Sequence, residues 1–261
     1  MSFTEIIVLV IAGVLVGFVN TLAGGGSIIS LSVLMMLGLP PNIANGTNRI
    51  GIAIQTLTAS TSFKHQKILP VKKSLLLAIP AVLGSLVGSV VAVDINEQIF
   101  KRAVGVIMLI MLVFIFYKPQ KYLYGQKDVE EKPLRPWLYG LFFLIGLYGG
   151  FIHMGVGYFL LMGIVMGAGF DLVRANAVKV FVILLYTPFT LAVFIFYDQI
   201  NWLYGLTLSV GSLMGAFVAS KLAVQKGVNF VRWIIVLVVL ITSGEMFGFY
   251  SFEEIFKFIV R

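Results

Sequence analysis

The sequence predicts an all-α polytopic membrane protein made of two inverted repeats, and three observations lead to this fold class. Of the 261 residues, 59% are hydrophobic and 11% are charged, with a mean hydropathy of +1.02. The apolar residues form runs long enough to cross a bilayer. Polar and glycine positions of the first half recur in the second half at a constant offset. A soluble domain carries about 25% charged residues, so a soluble enzyme and a disordered chain are excluded.

The first apolar run, 3–38, is too long for one span, since a membrane helix needs about 20 residues. It is interrupted by the run Gly24-Gly25-Gly26. We therefore predict a helical hairpin with arms 3–22 and 27–38, whose second arm is too short to span. The run 137–169 is interrupted in the same way and predicts arms 137–152 and 156–169. Both tips are expected to lie inside the bilayer.

The remaining apolar runs have the length of single spans, and they are 43–63, 74–93, 99–117, 173–197, 202–222 and 229–250. The hydrophilic stretch 118–136 separates a first transmembrane repeat, 1–117, from a second, 137–261. We predict that this linker is cytoplasmic. Each repeat then contains one broken re-entrant hairpin and three transmembrane helices.

The repeat shows as an offset of 131 residues, which places Gly24 on Gly155, Gly26 on Gly157 and Asn45 on Asn176. Basic residues of the first half lie in the loop 64–73 and in the linker, whereas the equivalent loop 195–204 has none. In the second half they lie in the predicted loop 221–232, one span later. Because cytoplasmic loops collect Lys and Arg, the repeats are predicted to be inverted, with both termini outside. Eight plain spans with both termini inside is the alternative, and it leaves Lys221, Lys226 and Arg232 outside.

Polar residues cluster at the two breaks, where freed backbone N–H groups and helix N-termini suit an anion. We predict a substrate-binding site from both breaks, comprising Asn20, Thr21, Gly24, Gly25, Gly26 and Ser27 of the first and His153, Gly155 and Gly157 of the second. The alternatives are close helix packing for the glycines and an interhelical hydrogen bond for His153. The GxxxG pairs, which predict close helix contact, are Gly13/Gly17, Gly84/Gly88, Gly163/Gly167 and Gly211/Gly215.

A third cluster lies one to two turns into the helix that follows each hairpin. It contains Asn45, Asn48 and Arg49, with Asn176 and Lys179 as the equivalents in the second half. A cation at that depth faces a cavity or a partner, and an anionic substrate could supply the opposite charge. Snorkelling to the headgroups is the alternative. Glu245 and His153 are the candidates for proton coupling.

Other classes of function have no support in the sequence. The chain has no cysteine, and it lacks GxxxxGK[ST], HExxH and GxSxG. We expect no enzyme activity, no cofactor and no metal site. The net charge of +8 lies in short loops between apolar runs, so we expect a lipid bilayer and no nucleic acid as partner. The oligomeric state stays open, with a homodimer as one option.

The segment from Gly17 to Ser27, together with Gly38 and the run Ala44 to Asn48, resembles the sulfite exporter TauE/SafE family. The resemblance implies a multi-pass permease of the bacterial cytoplasmic membrane. It also implies a substrate class, sulfur-containing anions such as sulfite or sulfonates, and usually export. From the broken helices we expect alternating access, with the substrate held near the midplane between the two tips. A passive anion channel and a non-transporting membrane scaffold are the alternatives.

Overall fold

A computed structural model describes residues 1–94, 129 and 133–246 of the chain. The described part of the first half contains four helices: α1 (Phe3–Leu22), α2 (Ser27–Met36), α3 (Pro41–His65) and α4 (Val71–Asp94). The predicted hairpin arms are confirmed here to within two residues. The predicted span 99–117 and nearly all of the linker 118–136 lie outside the described residues, and so does the side chain of Glu245.

The second half repeats this order of elements. It contains α5 (Trp137–Phe151), α6 (Val156–Met162) continued by a π-helical turn (Gly163–Ala168), α7 (Leu172–Phe196) and α8 (Trp202–Met246). The predicted loop 221–232 is wrong, because α8 continues through this region as a helix with one kink. Its only non-helical residue is Gly227, at φ 71° and ψ −166°. Glycine allows this positive φ without steric strain, so a single residue replaces a loop.

Among the residues that the structure describes, four helices are long and apolar enough to cross a membrane: Phe3–Leu22, Val71–Val93, Leu172–Phe196 and Trp202–Val238. The arms α2, α5 and α6 with its π turn are shorter apolar helices. Helix α3 has 25 residues, yet it carries polar side chains that are buried inside the protein. The chain is therefore a multi-pass membrane protein in which α3 brings seven of the 22 buried polar or charged side chains of the described residues into the interior, more than any other described helix.

The two halves are intertwined, because the first helix of each half packs against a long apolar helix of the other half, α1 on α8 and α5 on α4. On α1 and α8, an added Cβ at any of four glycines would overlap the backbone of the opposite helix, namely at Gly13, Gly17, Gly211 and Gly215. The same holds between α4 and α5 for Gly84, Gly88, Gly146 and Gly150. Glycine stripes of this kind allow two backbones to touch. Three of the predicted GxxxG pairs are thus contacts within one chain.

Hydrogen bonds show which helix ends lie together. At one end, which we call the 197–201 end, Gln199 Nε2 donates to Val93 O (3.0 Å) and Asn201 N donates to Thr47 Oγ1 (2.9 Å). At the opposite end, the 66–70 end, Ser220 Oγ donates to Ser62 Oγ (2.8 Å). Helices α3 and α8 therefore start at the 197–201 end, and α4 starts at the 66–70 end.

The glycine contacts give the directions of the hairpins. Gly13 meets Leu208 and Gly17 meets Ser212, so α1 runs parallel to α8 and enters from the 197–201 end. Gly146 meets Ala81 and Gly150 meets Ser85, so α5 runs parallel to α4. Helix α5 consequently enters from the 66–70 end, opposite to α1.

Candidate functional site

The two glycine breaks meet in the interior of the protein. Gly24 has φ +97°, and an added Cβ on it would overlap the Cα of Gly157. The reverse substitution, a Cβ on Gly157, would overlap the Cα of Gly24. Near the end of α5, Gly150 packs on Ser85, which lies roughly 21 Å along α4 at 1.5 Å per residue. The two tips therefore meet at about the middle of the flanking helices, and a substrate-binding site formed by both of them stays a prediction.

At the first break, α1 ends at Leu22 and Ser27 opens α2. Asn20 Nδ2 donates across the break to Ser27 Oγ (3.2 Å). Thr21 Oγ1 donates to Gly17 O (2.7 Å), within its own helix. All three polar side chains are buried, and the bond between Asn20 and Ser27 fixes the angle at which α2 leaves the break.

At the second break, Gly155 has φ 69° and precedes the first residue of α6. His153 is buried, and its Nδ1 lies 3.0 Å from the hydroxyl oxygen of Tyr186. The hydroxyl of Tyr148 donates to the carbonyl of Met154. Tyr186 on α7 and Tyr148 on α5 therefore hold the turn in place, and sequence reasoning missed both. The offset of 131 residues could have identified Tyr186, because it falls on the polar Gln55.

Arg49 of α3 caps the broken helix of the opposite half. Its Nη1 donates to Gly149 O (2.6 Å) and its Nη2 to Gly150 O (2.7 Å). Asn45 Nδ2 donates to Phe151 O (3.0 Å), the last residue of α5. A cation at a helix C-terminus is favourable because the unpaired carbonyls there carry partial negative charge. The guanidinium also lies 5.3 Å from the centre of the Phe194 ring.

Lys179 of α7 caps the end of α1, the broken helix of the first half. Its Nζ donates to Asn20 O (2.9 Å), Thr21 O (2.9 Å) and Asn176 Oδ1 (2.6 Å). These three bonds use all three ammonium hydrogens. Each half thus contributes one buried cation that caps the first helix of the other half.

From the sequence we expect an anionic substrate to offset the burial of Arg49. The structure supplies two backbone carbonyls for that cation, so a ligand is not needed to pair both of its Nη atoms. Snorkelling, the alternative, is wrong, because the side chain is fully buried and bonded to the middle of the protein. Anion binding by Arg49 stays a prediction.

Several buried polar atoms of α3 have no hydrogen-bond partner among the described residues. They include both amide atoms of Asn48, the Oδ1 of Asn45 and the Nε of Arg49. Asn48 and Arg49 lie three and four positions after Asn45, so each is a neighbour of Asn45 on the helix surface, one on either side of it. Buried polar groups are normally paired, so these atoms are candidates for contact with water or with a ligand.

Hydrogen bonds and contacts link most predicted site residues into one region around the two breaks. Asn20, Thr21 and Ser27 connect to Asn176 and Lys179, while Asn45 and Arg49 connect to the end of α5. Gly24 touches Gly157, Gly25 packs on the Tyr158 ring, and Gly26 packs beside Val16 and Asn20. That this region binds a substrate is predicted from the sequence and stays a prediction.

Comparison with known proteins places this arrangement in a family. The family model described as Sulfite exporter TauE/SafE matches residues 9–246. A probable membrane transporter protein, ORF9, of Sinorhizobium sp. is 26% identical over 240 residues, which covers 91% of this chain and 90% of the relative. A probable membrane transporter protein of Haemophilus influenzae is 27% identical over 241 residues, covering 92% and 93%. The probable membrane transporter protein YfcA of Escherichia coli K12 is 24% identical over 245 residues, covering 92% and 88%. No solved structure matches the chain.

Proposed function

We propose a specific transport activity for this chain, on the premise that it belongs to the sulfite exporter TauE/SafE family, which is a family of membrane transporters and not of enzymes. The activity is export of small sulfur-containing anions, such as sulfite or sulfonates, across the bacterial cytoplasmic membrane. The substrate site lies at the two glycine breaks, and alternating access opens it to each side in turn.

The single observation that carries the proposal is the meeting of the breaks beside unpaired donors of α3. Arg49 Nε and the amide nitrogen of Asn48 are buried donors that have no hydrogen-bond partner among the described residues. The oxygens of a sulfite or sulfonate group are acceptors that suit an Arg and an amide. The permanent charge of Arg49 offsets the negative charge of such a ligand.

The helix directions support an inverted repeat and hence alternating access. Helices α1 and α5 enter the protein from opposite ends, although they occupy equivalent places in the two halves. Broken helices that meet near the midplane between inverted repeats are common in secondary transporters. Because each half caps the hairpin of the other, a movement of one half is transmitted to the opposite hairpin.

The charge distribution supports the predicted orientation. The cations of the described surface helices and loops gather at or near the 66–70 end, and they include Lys64, Lys67, Lys72, Lys73, Lys221 and Lys226. Glu5 and Asp198 lie at the 197–201 end. The positive-inside tendency therefore makes the 66–70 end cytoplasmic. The N-terminus is then outside, and we propose the same side for the C-terminus.

Flux measurements in proteoliposomes test this function. Purified protein is reconstituted, and efflux of sulfite, methanesulfonate and sulfate is measured with and without a pH gradient. We expect saturable transport of at least one sulfur anion and acceleration by the same anion on the opposite side. Exchange of that kind distinguishes alternating access from a passive channel, which gives flux without acceleration. Flux no greater than in protein-free liposomes for the whole panel would contradict the proposal.

A further inference from the structure

The equivalent polar groups of the two halves differ in how they are satisfied. In the second half, Asn176 Nδ2 donates to Leu172 O (3.2 Å) and its Oδ1 accepts from Lys179. Lys179 uses all three of its donors. In the first half, Asn45, Asn48 and Arg49 keep atoms without a partner among the described residues. The two sets occupy equivalent places in the two halves, so the difference singles out the α3 face as the candidate place for a ligand.

The unpaired atoms on this face include acceptors as well as donors. Asn45 Nδ2 donates to Phe151 O, and this bond identifies its other atom, Oδ1, as an acceptor. Asn48 presents one donor and one acceptor in either orientation of its amide. Arg49 Nε adds a second donor. The face therefore offers two donors and two acceptors within little more than one helical turn.

An anion whose polar atoms are all acceptors satisfies only half of this set. Sulfate and a simple alkanesulfonate have no N–H or O–H group to give to Asn45 Oδ1 or to Asn48. A buried acceptor left unpaired costs about 1–3 kcal/mol. The complementary ligand has anionic oxygens for Arg49 and Asn48 together with a hydroxyl or ammonium group for the acceptors.

We infer that the face formed by Asn45, Asn48 and Arg49 selects small oxyanions that carry a hydrogen-bond donor beside the anionic group, such as hydroxyalkane- or aminoalkanesulfonates. This inference rests on the proposed function and narrows its substrate class. Asn48 is the specificity-determining residue, because neither of its amide atoms is used in holding the fold. Asn45 has a second task, since it also caps α5.

The test compares two monoanions of equal size, 2-hydroxyethanesulfonate and propane-1-sulfonate, for binding to the purified protein at one pH. The first has a hydroxyl group where the second has a methyl group. We expect the hydroxyl compound to bind about tenfold more tightly or better, the ratio that corresponds to one buried acceptor left unpaired. Asn48→Leu is expected to reduce this ratio to near one, and Asn48→Ala repeats the test if the leucine variant does not fold.

Ser60→Ala is the matched control, because Ser60 Oγ is also buried on α3 without a described partner. It lies 12 residues from Asn48, or roughly 18 Å along the helix. The native ratio should persist in this variant. Equal binding of both compounds to the native protein overturns the inference, and so does a ratio that survives in both Asn48 variants. If sulfite is transported while neither sulfonate binds, the inference fails and the proposed function stands; if no sulfur anion moves, the proposed function itself has failed.

Discussion

The guanidinium of Arg49 donates to the carbonyl oxygen of Gly149 at 2.6 Å, between residues 100 positions apart in the sequence. The bond joins α3 of the first half to the broken helix α5 of the second. With its partner bond to Gly150 O, it pairs two carbonyls that the end of a helix leaves without intrahelical donors. Arg49 therefore has a structural role whether or not it also binds a substrate.

Arg49→Ala should destabilise the protein as well as weaken anion transport. Two buried carbonyls lose a charged donor, and we expect a loss of at least about 2 kcal/mol in unfolding free energy. Arg49→Lys should recover part of both properties, because an ammonium group cannot reproduce the planar fork. Thermal melting and flux of the transported anion are measured on the same preparations. If Arg49→Ala keeps both the native melting temperature and the native flux, Arg49 neither stabilises the end of α5 nor binds the substrate.

Lys179→Met should release the end of α1. The substitution keeps an unbranched side chain of similar length but leaves the carbonyls of Asn20 and Thr21 without their donor. We expect a loss of at least about 2 kcal/mol. The matched control is Arg174→Met on the same helix, where the side chain is exposed in an ion pair with Asp171 and should change stability by less than about 1 kcal/mol. Equal melting temperatures for the two variants would contradict the cap.

Gly157→Ala should disrupt the meeting of the breaks by steric overlap alone. Its φ is not positive, so the new methyl group introduces no backbone strain, but it would overlap Gly24. Gly38→Ala isolates the other effect, because Gly38 has φ +90° with nothing within 4 Å of an added Cβ. We expect Gly38→Ala to cost about 1–2 kcal/mol and Gly157→Ala to cost more or prevent folding. Gly140→Ala, with open space and no positive φ, should be neutral. A Gly157→Ala protein as stable as Gly140→Ala would show that the tips are not in contact.

Single cysteines can test the orientation, since the chain has no cysteine of its own. In intact cells, a membrane-impermeant thiol reagent should label Ser2→Cys and Asp198→Cys, which lie at the 197–201 end. It should also label Arg261→Cys, as the sequence predicts for an external C-terminus. Lys67→Cys should be labelled only after the cells are opened. Labelling of Lys67→Cys from outside, with protection of Ser2→Cys, would reverse the orientation.

Much of the fold could be predicted from the sequence because clustered glycines interrupt the two apolar runs that are too long for one span. The hairpin arms 3–22 and 137–152 end within a residue of the helices in the structure. The lengths of the runs were sufficient to separate hairpin arms from full spans. The sequence predicts a loop over 221–232 because basic residues lie between two apolar runs there, whereas the structure has a single kink at Gly227.

The partners of the two buried cations could not be predicted. Arg49 and Lys179 donate to backbone carbonyls, which every residue possesses and which leave no signal in the side-chain sequence. Their acceptors lie 100 to 159 residues away, so no local pattern connects them. For the same reason the sequence does not show that both amide atoms of Asn176 are hydrogen-bonded while Asn45 Oδ1 is not, since both residues are asparagines at equivalent positions.

The exchange of caps between the halves has a consequence for biogenesis. Thr21 and its donor Lys179 are 158 residues apart, and ribosomes add about 5–20 residues per second. The first hairpin is therefore made roughly 8–30 s before Lys179 is made. During that interval the last carbonyls of α1 lack their final donor, at a depth where lipid offers none. Newly made N-terminal fragments that stop before α7 should consequently need an insertion factor or water to shield this helix end, and they should be degraded when neither is available.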